Sequence, residues 1–567
     1  MSTPSPASST PGVNGSFIAS GLLAAGAWYL WPGTNSDLEN GLLAGMCACT
    51  SAVSAIGGIR ALTKNMRVRK KLIESEAEST QHGSAREATL DEIIARGCSD
   101  PNAGAFIGLR NVQPVFVPKG APFTLVEGPP GSGKDIHMTV GDILHHSLRG
   151  ISTFAPDVKC ELGPMLAGAL REAGVETWCI NPTGKHLDIC ENVEVGLYDA
   201  LIKAAHSADE TRKDAIGIAD QIAKLHLPDK DVDKSKLYFI GGSRRLIKIV
   251  ALSLAIIDPA NCNPGSVLLI LNDVKQLVAR LRSIITHLEP LTNNDGIVAD
   301  LKSEAKNLLH RFETNPENFG SFLEWATQSL APYNQAGHLS TYGSTATHDI
   351  ADLTARPITA IPMTPLSHAS EFESFTSIIN ANLISACKHN PRKQRVHLVC
   401  NEMLNYRFTN IASDLETMRG LGMTATFYVQ SFSGLVRQYG KESAASINDY
   451  CDVKIYFGIN SYERAKYVSD MLSEATINSK DYSYKSAPSD VNISSKRHAR
   501  RLMTPDEIMA MPHNQAWVFI KGIRPFRVDL THYGHIAPWK DMVADNPLEG
   551  TPLSGKTLLE IEYQREG

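Results

Sequence analysis

The N-terminal end of this 567-residue chain is almost free of charge. Met1 to Ile59 holds no Lys or Arg, and its only acids are Asp37 and Glu39. Cysteine pairs are missing too. Ten cysteines are scattered with no C-x-x-C spacing and no metal-ligand spacing. That excludes a disulfide-stapled scaffold and reads as reduced, mostly buried thiols in a cytosolic compartment. There is no excess of basic charge either: 55 Lys plus Arg face 60 Asp plus Glu, a net of −5. Any nucleic-acid contact is therefore local, a pore or a stripe, and not a property of the whole surface. Internal repeats and long low-complexity tracts are absent. With 43% hydrophobic and 20% charged residues, the chain is folded through most of its length.

The uncharged N-terminus contains two apolar runs, Phe17 to Trp31 and Gly41 to Ile59. The second is long enough to cross a ~30 Å hydrocarbon core at ~1.5 Å per residue. Trp28, Tyr29 and Trp31 suit an interfacial belt, and Arg60, Lys64, Arg67, Arg69, Lys70 and Lys71 mark a cytoplasmic flank. The expectation is a transmembrane hairpin over 1–71 with both ends cytoplasmic and anionic lipid near the basic flank. A cleaved signal peptide lacks its positive n-region here. The rest of the chain is then a large cytoplasmic body.

Phe123 to Glu127 reads as a buried strand. It runs into Gly128-Pro129-Pro130-Gly131-Ser132-Gly133-Lys134-Asp135 and then a helical stretch from Ile136 to Ser147. Strand, glycine-rich turn, Lys and helix form the phosphate-binding P-loop layout. Backbone N–H groups wrap the phosphates, and Lys134 reaches the outer ones. The Ser or Thr that usually follows the lysine and ligates Mg²⁺ is Asp135. The apolar run Val396 to Cys400, followed by Asn401-Glu402, supplies the second acidic strand, with Glu402 placed as a general base. Asn401 stands where a metal-holding Asp is expected. These two departures suggest that Asp135 supplies the carboxylate that Asn401 lacks, both facing one cation. Arg419-Gly-Leu-Gly precedes the strand Thr424 to Val429, and Gln430 sits at its tip.

These blocks, taken in order, resemble the type IV coupling proteins, the membrane-anchored ATPases of conjugation and type IV secretion. The resemblance also rests on Phe154-Ala-Pro-Asp-Val-Lys-Cys-Glu-Leu162 and on Gln430-Ser-Phe-Ser-Gly-Leu-Val-Arg-Gln-Tyr-Gly440. It extends through Ile447 to Gly458 and Arg501 to Ile508. It implies an α/β fold: a RecA-like P-loop nucleotide-binding domain with an inserted all-α domain. The apolar runs Leu246 to Ile257 and Val267 to Leu291, at helical period, agree with such an insert. The expected boundaries are 72–204 for the stalk and the first part of the nucleotide-binding domain, 205–335 for the all-α domain, 336–540 for the second part and 541–567 for a tail.

The resemblance further implies ATP and Mg²⁺ as cofactors and a homo-hexamer. Carried over by position, Lys134 is the phosphate lysine and Glu402 the catalytic glutamate. Arg419 becomes an arginine finger toward a neighbouring subunit and Gln430 a γ-phosphate sensor. Asp157, Lys159 and Glu161 match a further block whose glycine is Cys160 here. Asp135 and Asn401 remain the metal positions. The implied partners are a relaxase bound to single-stranded DNA, effector proteins, and inner-membrane channel components.

Three functions follow from these residues. The first is a coupling ATPase feeding a secretion channel; the second is a membrane-anchored double-stranded DNA translocase. The third is a hydrolysis-deficient receptor, kept open by Asp135 and Asn401. Lys496, Arg497, His498, Arg500 and Arg501 form the densest basic cluster of the soluble part. It reads as a solvated loop or as a contact for backbone phosphates.

Overall fold

The computed structural model describes residues 84–565 except 230–235, 291–295, 345, 390–393, 407, 409–410, 485–490 and 551–554, together with most of 45–60 and residues 63 and 66. The run Phe17 to Trp31, the loop that follows it and most of the basic flank lie outside the described residues. The described part of 45–60 is helical, with Met46, Val53, Ile56 and Ile59 exposed. Among the described residues no helix is long and apolar enough to cross a membrane.

Two compact units are present. One comprises Met1–Ala85 with Asp470–Leu502. Its described core is an antiparallel ribbon of Glu474–Tyr484 and Val491–Arg501, in which Lys496 and Arg497 stand opposite Ser479 and Asn478. The basic cluster is therefore strand and not loop.

The other unit, Arg86–Ser469 with Met503–Gly567, is built on an 11-stranded sheet. In chain order its strands are β1 (Phe106–Arg110), β2 (Gln113–Phe116), β3 (Phe123–Glu127), β4 (Ser152–Phe154), β5 (Thr177–Ile180), β6 (Thr359–Pro362), β7 (Val396–Cys400), β8 (Met423–Val429), β9 (Val453–Phe457), β10 (Gln515–Ile520) and β11 (Phe526–Asp529). Their spatial order is β2-β1-β11-β10-β9-β3-β8-β7-β4-β6-β5. From β9 to β5 every pairing is parallel, and β10, β11, β1 and β2 extend one edge antiparallel.

Strands β3 and β7 are buried at every position. That explains why their sequences are unbroken apolar runs and not alternating ones: a parallel sheet is covered on both faces. Helices Val140–Leu148 and Leu162–Glu172 and the C-terminal segment pack one face. The other face carries Glu373–His389, and the core there continues into a helical body.

That body is helical throughout from Asp199 to Leu330 among the described residues. The apolar run Val267 to Leu291 is two helices, Pro264–Asn272 and Val274–His287. The break falls at Asp273, whose carboxylate accepts the N–H groups of Lys275 and Gln276. A short acid that satisfies orphan donors starts a new helix even inside a periodic pattern. Asn263 caps the first of the pair in the same way through Ser266 N–H.

The C-terminal segment is fastened to the P-loop helix by one close approach. A Cβ placed on Gly141 would lie 2.6 Å from Cζ3 of Trp539. That indole is buried, stacks edge-on against Phe106 at 6.0 Å and donates Nε1–H to the Tyr563 hydroxyl at 2.7 Å. Gly141→Ala must displace the indole, an overpacking cost of about 1–3 kcal/mol. Urea unfolding of this variant is expected at a lower midpoint than wild type; an unchanged midpoint would contradict the packing described.

Candidate functional site

Register brings the predicted residues together. Glu127 pairs with Val429, and Cys400 with Phe427, so β3, β7 and β8 end side by side. Gly128 N–H donates to Val429 O at 3.1 Å and Met403 N–H to Tyr428 O at 3.3 Å. The loops after these strands and after β4 therefore open at one edge of the sheet, where α/β proteins hold ligands.

The P-loop takes its shape from Gly131 and Gly133, both at positive φ (74° and 78°), a conformation that glycine adopts without strain. A π-helical turn, Asp135–Thr139, leads into the helix Val140–Leu148. Lys134 Nζ donates to the carbonyls of Gly128 at 2.8 Å and Pro129 at 3.3 Å. Its ammonium is buried within its own loop, and burial pushes its pKa below the ordinary lysine range while Glu402 and Asp135 pull it back.

A ring of carboxylates surrounds a second ammonium. Lys159 Nζ lies 3.0 Å from Asp135 Oδ2, 3.2 Å from Glu161 Oε1 and 3.4 Å from Glu402 Oε1. Burial opposes its charge, but the acids hold its pKa above the ordinary range. Glu402 is itself braced: its Oε2 accepts from Gln430 Nε2 at 2.6 Å and from Asn405 Nδ2 at 3.4 Å. Glu161 accepts from Asn546 Nδ2 at 3.0 Å. Asp157, wholly buried, accepts N–H groups of Glu161 and Gly163 and so starts the helix Leu162–Glu172; burial pushes its pKa up to about 6.

Two non-glycine residues here have left-handed backbones, Cys160 (φ 58°) and Glu402 (φ 49°). The first is the position where the resembling block has glycine, so the chain keeps the turn and accepts the strain there. Such outliers gather where a site fixes its side chains.

The metal positions fit a cation unequally. Asp135 Oδ1 is buried and accepts no hydrogen bond, an oxygen left over for a cation. Asn401 is buried too, but its Oδ1 accepts the N–H of Glu402 at 3.0 Å and so shapes the backbone beside the base. Sequence reasoning placed Asp135 and Asn401 on one cation; Lys159 Nζ stands between Asp135 and Glu402 in the protein alone.

Arg419 lies at the other end of β8, donating to Gly120 O at 3.1 Å and 3.5 Å from Asp452. The seven residues of β8 separate it from Gln430 by about 20 Å. It lies too far away to reach this chain's own P-loop.

Sequence reasoning missed Arg464. Its guanidinium pairs with Glu127, the last residue before the loop, and stacks over Phe432, Tyr456 and Tyr467 at 4.3–5.1 Å. Burial drives the Glu127 pKa up, and Arg464 pulls it back. Glu127, Pro129, Gln430, Phe432 and Arg464 line a ≈ 440 Å³ cavity beside the P-loop. A lone Glu at a strand end carries no sequence signal for a partner so far downstream.

With Lys159 balancing Asp135, the Asp135→Ser variant is expected to bind Mg²⁺-nucleotide less tightly, and Asp135→Ser with Asn401→Asp to recover it. Calorimetric titration reads both; no recovery in the double variant would show that position 401 does not face the cation.

Residues 395–513 match the family model TraG-D_C, described as the TraM recognition site of TraD and TraG. No curated protein matches the sequence. Among solved structures, the fold is shared with the unbound bacterial conjugative coupling protein TrwBdeltaN70 (TM-score 0.55, 15% identity, 79% of this chain and 92% of that chain covered). It is shared equally with plasmid coupling protein TrwB in complex with ADP and Mg²⁺ (0.54, 14%, 79% and 94%). The complex of TrwB with the ATP analogue ADPNP gives 0.55, 15%, 79% and 93%. The matched segment holds Asn401, Glu402, Arg419 and Gln430, and the fold carries the P-loop opposite them. The chain thus shares one segment with the TraD and TraG family model and its fold with the coupling protein TrwB.

Proposed function

We propose that this chain is the coupling ATPase of a conjugation or type IV secretion machine, anchored at the inner membrane through its N-terminal runs. It takes a relaxase with its single-stranded DNA, or an effector protein, and delivers it to the channel components as a homo-hexamer. The observation that carries this reading is the strand-end cluster of Lys134, Glu402 and Gln430, held by the register of β3, β7 and β8.

ATP with Mg²⁺ fits this edge, and TrwB, which shares the fold, forms a complex with ADP and Mg²⁺. The N–H groups of Gly131 to Lys134 and the Lys134 ammonium hold the phosphates. The ≈ 440 Å³ cavity beside the loop has room for the base and ribose. Mg²⁺ supplies charge neutralisation of the outer phosphates, and Asp135 and Glu402 are the carboxylates that would hold its shell. Glu402 accepts the proton of an attacking water. Gln430, already on Glu402 Oε2 at 2.6 Å, can exchange that bond for the γ-phosphate and so report whether nucleotide is present. Arg419, about 20 Å away along β8, acts on the neighbouring subunit's nucleotide.

One observation favours a second reading. The Lys159 ammonium already satisfies the carboxylates that a cation needs, as a receptor without hydrolysis would have it. Turnover of ATP by the full-length chain, with and without single-stranded DNA, separates the two. The coupling reading predicts DNA-stimulated hydrolysis that falls on the order of 100-fold or more in Lys134→Ala and in Glu402→Gln, with Glu402→Gln still binding ATP. A folded wild type that binds ATP and never turns it over would leave the receptor.

A further inference from the structure

The densest basic cluster of the sequence stands on the antiparallel ribbon Glu474–Tyr484 and Val491–Arg501. Its pairing runs without a break from Glu474 against Arg501 at the base to Tyr484 against Val491 at the far end. Over that length a strand rises about 35 Å. The ribbon is a sheet of its own. Its base is tied to the N-terminal part of the same unit, where Ser84 bridges Ala475 and Ala85 N–H donates to Glu474 O at 3.2 Å. A two-stranded ribbon is marginally stable in water unless one of its faces is covered.

The register sorts the outermost pairs cleanly. Tyr482, Tyr484, Val491 and Ile493 fall on one face, and Asp481, Ser483, Asn492 and Ser494 fall on the other. Nearer the base the ribbon turns basic. Lys480, Lys496, Arg497, Arg500 and Arg501 stand on the two strands against the acids Glu474 and Asp481, in a chain whose net charge is −5. Asp470 engages Arg501 at 2.7 Å. Lys480, Lys496 and Arg497 occupy three successive pairs immediately below the apolar end.

An apolar, aromatic end with cations just below it and a polar reverse face is the composition of a segment that enters a lipid–water boundary. Tyrosine suits headgroup depth, having an apolar body and a polar tip. Lys and Arg beside it meet anionic headgroups. A groove for single-stranded nucleic acid spreads aromatics and cations together along the path of the strand, so that bases stack while phosphates are neutralised. Here the two kinds of residue are segregated along the ribbon axis, which suits two phases and not a polymer. The reach is sufficient. Ser84 follows Lys71, the last residue of the basic flank, by thirteen residues, at most about 45 Å of extended chain.

We infer that the outer end of this ribbon, Tyr482, Tyr484, Val491 and Ile493 with Lys480, Lys496 and Arg497 below them, docks on an anionic bilayer surface, an inference that rests on the N-terminal runs being an inner-membrane anchor. The chain then holds the membrane at two points. The N-terminal runs enter the hydrocarbon, and the ribbon lies at the headgroups, where its apolar face is covered.

The test is hydrogen–deuterium exchange of the full-length chain in nanodiscs of phosphatidylethanolamine with phosphatidylglycerol, set against nanodiscs of phosphatidylcholine alone. Amides of 481–484 and 491–494 are expected to exchange more slowly in the anionic bilayer. That slowing should be lost in Lys480→Glu with Lys496→Glu and Arg497→Glu, and in Tyr482→Ser with Tyr484→Ser. Both variants should still enter nanodiscs and bind ATP as the wild type does. Equal exchange in the two bilayers, by a chain that has entered them, overturns the ribbon contact and leaves the anchor standing. A chain that enters neither bilayer overturns the anchor and the ribbon contact with it. Slowing that appears only with added single-stranded DNA, or that follows protein concentration in detergent without a bilayer, also overturns the contact, in favour of nucleic acid or a second copy of the chain.

Discussion

Everything at the candidate site depends on the parallel pairing of β3, β8 and β7 in one register. Glu127 against Val429 and Phe427 against Cys400 set the strand ends level, and from there each chain segment turns into a loop with chemistry on it. A slip by one residue would turn every side chain on a strand to the other face of the sheet. It would also part Gln430 from Glu402. Full burial of β3 and β7 on both faces makes such a slip prohibitive, so the apolar strands are what hold the polar cluster in place.

Charge is the second constraint. Asp135, Glu161 and Glu402 could not share so small a space, largely out of water, without a cation among them. Lys159 is that cation in the protein alone, while Lys134 is kept by carbonyls of its own loop. Both ammoniums are thus engaged by groups that a phosphate and its metal can displace. The site is arranged for an exchange of partners at small rearrangement, since Gln430 and Asn405 already brace Glu402.

Much of this was legible in the sequence. Continuous apolar runs bounded by glycine or acid located β3, β7 and β8 to within a residue, because a strand covered on both faces has no polar alternation to hide it. Lys134, Glu402 and Gln430 stand at strand ends, so finding the strands found them. Lys159 and Arg464 were not legible: their partners come from separate loops, and only the fold brings those together. The break at Asp273 was missed because periodicity outweighed a short acid that caps a helix. The N-terminal runs were read from hydropathy, and the described residues include no spanning helix against which to set them.

The central claim is that the β3–β8–β7 edge is a nucleotide site whose two ammoniums change partners on binding. A structure of the full chain with ADPNP and Mg²⁺ addresses it most directly. The account predicts Lys134 Nζ on the outer phosphates and off the Gly128 and Pro129 carbonyls, with Mg²⁺ between Asp135 and Glu402 where Lys159 now sits. Nucleotide bound elsewhere, or bound with Lys134 still on its loop carbonyls and Lys159 still on Glu402, would contradict it.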